Sequence, residues 1–172
     1  AYAVFLAYSS VLLMVTTFAY QWSIPNIEEQ DRLHDLMLLL LFLAIGSAAL
    51  IGVVFGVAGY VMALPLSILV LFRTLILVSV QANIREQDYR ALILGRVGPP
   101  VILLVLVLAI PFLGGPTTAT SIVWAATCGY VSIGAVYAGY SMLPALRGPV
   151  LWDRIRQIAN EERRFSIWVM PG

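Results

Sequence analysis

The chain has 172 residues, 61% of them hydrophobic and 11% charged, with a mean hydropathy of +0.94. A soluble domain would carry about 25% charged and 45–50% apolar residues, so the composition excludes that class and specifies an integral membrane protein. The net charge of +1 points to no nucleic-acid surface and no acidic partner.

Tyr2 to Ser23 is the first apolar run, closed by Trp22 as an interfacial anchor. Ser9, Ser10, Thr16 and Thr17 within it are expected to bond back to their own helix carbonyls. The run has no basic n-region and no cleavage site, so it does not read as a signal peptide. Ile24 to Asp35 is a charged loop, with Pro25 stopping the helix and Glu28, Glu29, Asp31, Arg32 and Asp35 following. Leu36 to Phe55 is the second span. Its Gly46, Ala48, Ala49 and Gly52 would let another helix approach closely.

Gly56 to Tyr60 is a charge-free turn, and Ala58 to Ala82 forms the third span, with Pro65 as a kink. Arg73 stands near the middle of this run. A charge at the bilayer centre costs from about 3 to over 10 kcal/mol depending on how it is measured, so a chain that keeps one there hides it in a bundle or a wet cavity. Asn83 to Arg96 is a hydrophilic loop carrying Arg85, Arg90 and Arg96. Val97 to Phe112 is the fourth span, opening at Gly98-Pro99-Pro100 and closing at Pro111. Leu113 to Thr120 is a second charge-free turn. Ser121 to Leu143 is the fifth span, dotted with Gly129, Gly134, Ala135, Ala138 and Gly139 for close packing.

Residues 1–147 are thus expected to form an all-α bundle with spans near 2–23, 36–55, 58–82, 97–112 and 121–143. Over 148–164, Trp152, Ile155, Ile158 and Ala159 recur at helical spacing among charged residues. That pattern predicts an amphipathic helix lying along the membrane surface. Residues 165–172 turn apolar again and read as the start of a further, truncated span. A chain beginning without Met and ending at Met170-Pro171-Gly172 reads as a piece of a longer protein.

Charge partition sets the expected topology. The segments Ile24–Asp35, Asn83–Arg96 and Arg147–Arg164 fall on one side and hold nine of the ten Arg and all nine acids, while the other side's turns hold no charge. An Arg excess marks the cytoplasmic side.

Arg73 is the sharpest functional candidate. One reading makes it the cation that receives an anionic group in a central cavity; the other makes it a snorkelling or carbonyl-capped Arg that only fixes packing. No acid lies at membrane depth in these spans, which favours the first. Arg also suits bidentate contact with phosphate oxygens. Arg85, with Arg90 and Arg96, would meet a phosphate at the cytoplasmic mouth or simply set topology. Gln81 and Asn83 would donate to a sugar or be satisfied by solvent. Tyr130, Tyr137 and Tyr140 would line a cavity or serve as core residues. Cys128 reads as a packing residue and His34 as solvated. No metal-ligand cluster, GxSxG or phosphate-binding glycine loop is present, so neither an enzyme nor a cofactor is expected.

Three segments resemble the polysaccharide flippases of the multidrug/oligosaccharidyl-lipid/polysaccharide exporter superfamily (Wzx-like O-antigen and capsule transporters). They are FRTLILVSVQANIREQDYRALILGRVGPPVILLVLVL (Phe72 to Leu108), the LGG-led Thr-rich turn (Leu113 to Thr120), and IANEERRFSIWVMPG (Ile158 to Gly172). The last departs from the family pattern at Ser166, where Pro is common.

The resemblance implies that the chain covers spans two to six of about twelve, in a transporter of two helical bundles that alternate access around a midplane cavity. It implies an undecaprenyl-pyrophosphate-linked saccharide as substrate, with Arg73 as the candidate for its cationic cavity, within the bacterial cytoplasmic membrane; Gln81, Asn83 and Arg85 are the further candidate contacts read from the residues themselves. Membrane lipids and other polysaccharide-assembly proteins are the implied partners. The competing expectations are an ion-coupled small-molecule exporter of the same superfamily and a non-transporting five-span accessory subunit.

Overall fold

A computed structural model describes residues 7, 9–13, 24, 30–85, 87–142 and 152–169, apart from the side chains of residues 30, 85, 141, 142 and 162–169. Among them every regular element is helical. The helices are α1 (Gln30–Val57), α2 (Ala63–Arg85), α3 (Tyr89–Phe112), α4 (Ala119–Tyr137), which runs on into a π-helical turn (Ala138–Met142), and α5 (Trp152–Val169). Four of these are long and apolar enough to cross a membrane: Asp31–Val57, Ala63–Ile84, Tyr89–Phe112 and Ala119–Tyr140. The chain is an all-α membrane protein. The expected first span, 2–23, falls largely outside the described residues.

α1 begins earlier than its apolar run predicts. Asp31 in the first turn suits the positive end of the helix dipole, so the supposed loop contributes a polar turn and a half to the helix. The helix stops at Gly59, whose φ of 72° belongs to the left-handed region that glycine enters freely. There the Tyr60 amide donates back to the Phe55 carbonyl at 2.9 Å. α2 starts at Ala63, which places Pro65 in the first turn. A ring there removes no helical hydrogen bond, so Pro65 opens the helix instead of kinking it.

The expected loop from Asn83 to Arg96 shrinks to residues 86–88. Asp88 Oδ1 accepts from the amides of Arg90 (3.1 Å) and Ala91 (3.2 Å), and this cap starts α3 at Tyr89. Arg90 and Arg96 therefore lie on a helix. Pro99 and Pro100, expected at a helix start, lie inside α3. At the other end Gly114 (φ 75°) breaks the helix. Thr118 and Ser121 then form a reciprocal capping box that opens α4, with Thr118 N donating to Ser121 Oγ at 2.8 Å and Ser121 N to Thr118 Oγ1 at 3.2 Å.

The helices pack in the order α5, α1, α2, α4, α3. α2 is the centre: buried residues make up 67% of its apolar stretch, against 28% for α1, 39% for α4 and 11% for α3. One core cluster joins Leu33, Leu36, Met37 and Leu40 of α1 to Leu75, Val78 and Ala82 of α2 and Ile158 of α5. A second, towards the charge-free end, joins Ile51 to Leu66, Leu69, Val70 and Val123. A third joins Ile76 and Val80 to Ile133 and Tyr137. The outer faces of α1 and α3 expose Ile45, Leu50, Val53, Val101, Leu104 and Leu108, as a surface facing acyl chains would.

Small residues matter where backbones meet. A Cβ on Gly129 would stand 2.9 Å from the Pro99 carbonyl oxygen, and one on Gly134 would stand 2.6 Å from Phe72 Cδ1. Gly52 faces Ser67 of α2, whereas Gly46 has nothing within 4 Å of its side-chain position. The small-residue stripe on α1 thus meets α2 through Ala48 and Gly52, while Ala49 is exposed. Cys128, expected to pack, is exposed on α4.

α5 does not lie flat across the bundle. Trp152 stacks on Phe42 with ring centroids 5.0 Å apart, Ile158 enters the cluster with Leu33 and Leu36, and Arg32 Nη2 pairs with Glu161 Oε2 at 2.7 Å. These contacts run backwards along α1, so α5 is antiparallel to its first half. The reason is a stripe of apolar residues, Ile155 and Ile158 among them, that finds a protein partner on α1. α5 also continues unbroken to Val169, absorbing residues expected to begin a further span.

Candidate functional site

All four expected site residues fall on α2, but the helix does not bring them together. Arg73 stands mid-helix. Gln81 lies about 12 Å further along at the helical rise of about 1.5 Å per residue. Gln81 and Asn83 are two positions apart, about 200° around the helix, so they leave it on nearly opposite sides. Both are buried, at 4% and 2% exposure. The Arg85 side chain lies outside the described residues.

Arg73 is half-buried and has three partners among the described residues. Its Nη1 donates to the hydroxyls of Ser9 and, at 3.2 Å, Ser10. Its guanidinium carbon stands 5.5 Å from the centre of the Tyr130 ring on α4, a cation–π geometry. Ser9 and Ser10 accept from this guanidinium, contacts across 64 and 63 positions that no local pattern announces. No carboxylate among the described residues pairs with Arg73. Among the described residues, two hydroxyls and a ring hold the cation in place and no carboxylate neutralises it.

Elsewhere on α2 the buried hydroxyls separate into two kinds. Ser67 donates to the Ala63 carbonyl at 2.7 Å and Thr74 to the Val70 carbonyl at 2.8 Å, the usual return to the preceding turn. Ser79 is fully buried, yet among the described residues its Oγ has no partner, and neither does Nδ2 of Asn83. The two residues are four apart and share a face. A buried polar atom without a partner costs about 1–3 kcal/mol, so each calls for a reason. Ser79 was not singled out in the sequence because a lone Ser in an apolar run is ordinarily back-bonded.

Of the tyrosines, Tyr130 faces Arg73, Tyr140 is exposed, and Tyr137 is buried with its hydroxyl donating to the Ala91 carbonyl of α3. At the charge-rich end Asp35, expected in a loop, is a buried residue of α1 at 5% exposure, facing α5. Among the described residues no group of His, Cys and carboxylates is arranged to hold a metal ion.

No family model matches the chain, and neither the curated proteins nor the solved structures contain a match.

Proposed function

We propose that this chain belongs to a membrane transporter that moves a lipid-linked saccharide across the bacterial cytoplasmic membrane, with Arg73 as the contact for the lipid pyrophosphate. The observation that carries this reading is a guanidinium at the middle of the most buried helix that has hydroxyl and aromatic partners and, among the described residues, no carboxylate. A bound phosphate oxygen would replace the serine hydroxyls as acceptor, and the cation–π contact would keep the guanidinium aimed at it.

In the proposed cycle the charge-rich end faces the cytoplasm, where the Arg excess belongs. Arg73 draws the pyrophosphate inward, the bundle rocks against a second bundle, and the saccharide crosses while its lipid tail stays in the bilayer. Ser79 and Asn83, unpartnered among the described residues and about two and three turns nearer the charge-rich end, offer hydrogen bonds to sugar hydroxyls along the way.

The test is a flipping assay in proteoliposomes made with the whole transporter. Arg73→Ala should abolish translocation with expression and fold intact, and Arg73→Lys should retain a fraction through its point charge. Normal translocation by Arg73→Ala would overturn the assignment. The same contacts also favour a second reading, in which Arg73 braces the N-terminal segment, α2 and α4 in a non-transporting subunit. On that reading Arg73→Ala lowers thermal stability and leaves translocation by its partners unchanged.

A further inference from the structure

The junction between α1 and α5 holds a cavity of about 370 Å³ lined by Asp31, Arg32, Asp35, Arg154, Gln157 and Glu161, with Ile158 at the edge of the core. Three of its charged groups have evident reasons to be there. Arg32 and Glu161 pair with each other, Gln157 Nε2 steadies the same carboxylate at 2.8 Å, and Asp31 is exposed.

Asp35 is different. The residue is 5% exposed, and among the described residues its carboxylate takes no hydrogen bond and no ion pair. Arg154 lines the same cavity, and the two do not pair with one another. Its carboxylate lines the cavity instead of closing on a neighbouring cation. Opposite charges that face one space without closing on each other leave room for a guest carrying both signs.

Size and position narrow that guest. The cavity equals roughly twelve water volumes at about 30 Å³ each, too roomy for a dehydrated metal ion. Asp35 precedes Leu36, the first residue of a long apolar run, so it stands at the depth of lipid head groups. A second cavity of about 380 Å³, lined by Leu39, Trp152, Ile155 and Ala159 with Asp153 and Arg156, lies beside it along α1 towards the apolar segment. Trp152 is 63% exposed there and stacks on Phe42, as an interfacial aromatic does.

We propose that this junction is a binding site for a phospholipid with a zwitterionic ethanolamine head group. Its primary ammonium donates to Asp35, its phosphate meets Arg154, and its acyl chains leave past Leu39 and Trp152. The site requires only that the chain be embedded in a membrane, so it stands or falls apart from the transport reading. A choline head group fails on chemistry, because its quaternary ammonium has no N–H to give Asp35. A glycerol head group fails because it brings no cation.

The test uses the full chain in nanodiscs of equal phosphatidylethanolamine, phosphatidylcholine and phosphatidylglycerol, released for native mass spectrometry, with the retained lipids counted. The expected result is preferential retention of phosphatidylethanolamine. Asp35→Asn and Arg154→Gln should each lower it about tenfold, the effect of losing one charge-assisted contact. Arg154 is exposed, so its variant keeps the question open to an answer even if Asp35→Asn fails to fold. Equal retention of the three lipids by the native chain, or full retention by Arg154→Gln, would overturn the proposal. Soluble phosphoethanolamine separates the sources: displacement of retained lipid supports head-group recognition, and binding of the free compound with no lipid retained overturns the lipid assignment.

Discussion

Arg73 of α2 lies over the ring of Tyr130 of α4, with the guanidinium carbon 5.5 Å from the ring centre. The contact ties the central helix to its neighbour near mid-depth, and two serine hydroxyls accept from the same guanidinium. An aromatic face attracts a guanidinium without neutralising it, by about 0.5–2 kcal/mol. That difference from a carboxylate leads to a double-mutant cycle. Tyr130→Leu alone should lower stability by about 1 kcal/mol, and Arg73→Met alone by a similar amount. The double variant should fall short of their sum by the cation–π energy. Thermal melts of the purified protein followed by circular dichroism check this, and strict additivity would show the ring to be an incidental neighbour.

The contact of α3 with α4 has a sharper steric signature. At Gly129 the nearest atom to an added methyl is the Pro99 carbonyl oxygen at 2.9 Å, a backbone atom that moves only if the helix moves. At Gly46 there is open space. Gly129→Ala should therefore destabilise by about 1–3 kcal/mol, the usual cost of forcing atoms into a packed contact. Gly46→Ala should be neutral or stabilising by up to about 1 kcal/mol, because alanine is the better helix former. Melting temperatures of the two variants in one detergent make the comparison, and equal effects would refute the close approach.

Composition and apolar run length sufficed to read the helices and their class, because a bilayer demands long apolar segments and the chain supplies them. The ends of the helices were not legible. Whether Asn83–Arg96 is a loop or two helix ends turns on one side chain, Asp88, which caps α3 three residues after α2 closes. Prolines 99 and 100 looked like a helix start because a proline ring is cheapest there, yet the helix carries them. The candidate site was half legible. Arg73 declares itself by its cost in an apolar run, but its partners, Ser9, Ser10 and Tyr130, come from segments 57 to 64 positions away. Asp35 was hidden because its burial depends on α5, more than a hundred residues downstream.

Ser79 and Asn83 carry a prediction of the opposite sign to most substitutions in a buried helix. Each holds a polar atom in the interior that is unpartnered among the described residues, so removing it relieves a penalty of about 1–3 kcal/mol. Ser79→Ala should raise thermal stability, and it leaves little void because one oxygen is lost. Thr74→Val provides the contrast: Thr74 is satisfied by the Val70 carbonyl, so its loss should bring no gain. If Ser79 and Asn83 serve a saccharide in transit, Ser79→Ala is more stable and slower in translocation, the trade expected where a site keeps polar groups unpaired for a ligand. A fall in stability would mean that the hydroxyl already has a partner.

The docking of α5 on α1 divides between an ion pair and an apolar contact, and their magnitudes decide which holds the helix. Arg32 and Glu161 meet at 2.7 Å, but their side chains are 38% and 42% exposed. Such a pair contributes about 0–1 kcal/mol and weakens as salt is added. Ile158 is 5% exposed in a cluster with Leu33, Leu36 and Ala82, and truncating a buried isoleucine costs about 2–5 kcal/mol. Glu161→Gln should therefore leave α5 docked at moderate salt, whereas Ile158→Ala should release it. The readout is the distance between spin labels on Asn160 and on exposed Asp31, both replaced by cysteine in a Cys128→Ser background. A short distance that survives Glu161→Gln and lengthens in Ile158→Ala is the expected result. Release by Glu161→Gln alone would make the ion pair the holding contact and α5 a helix whose docking answers to ionic strength.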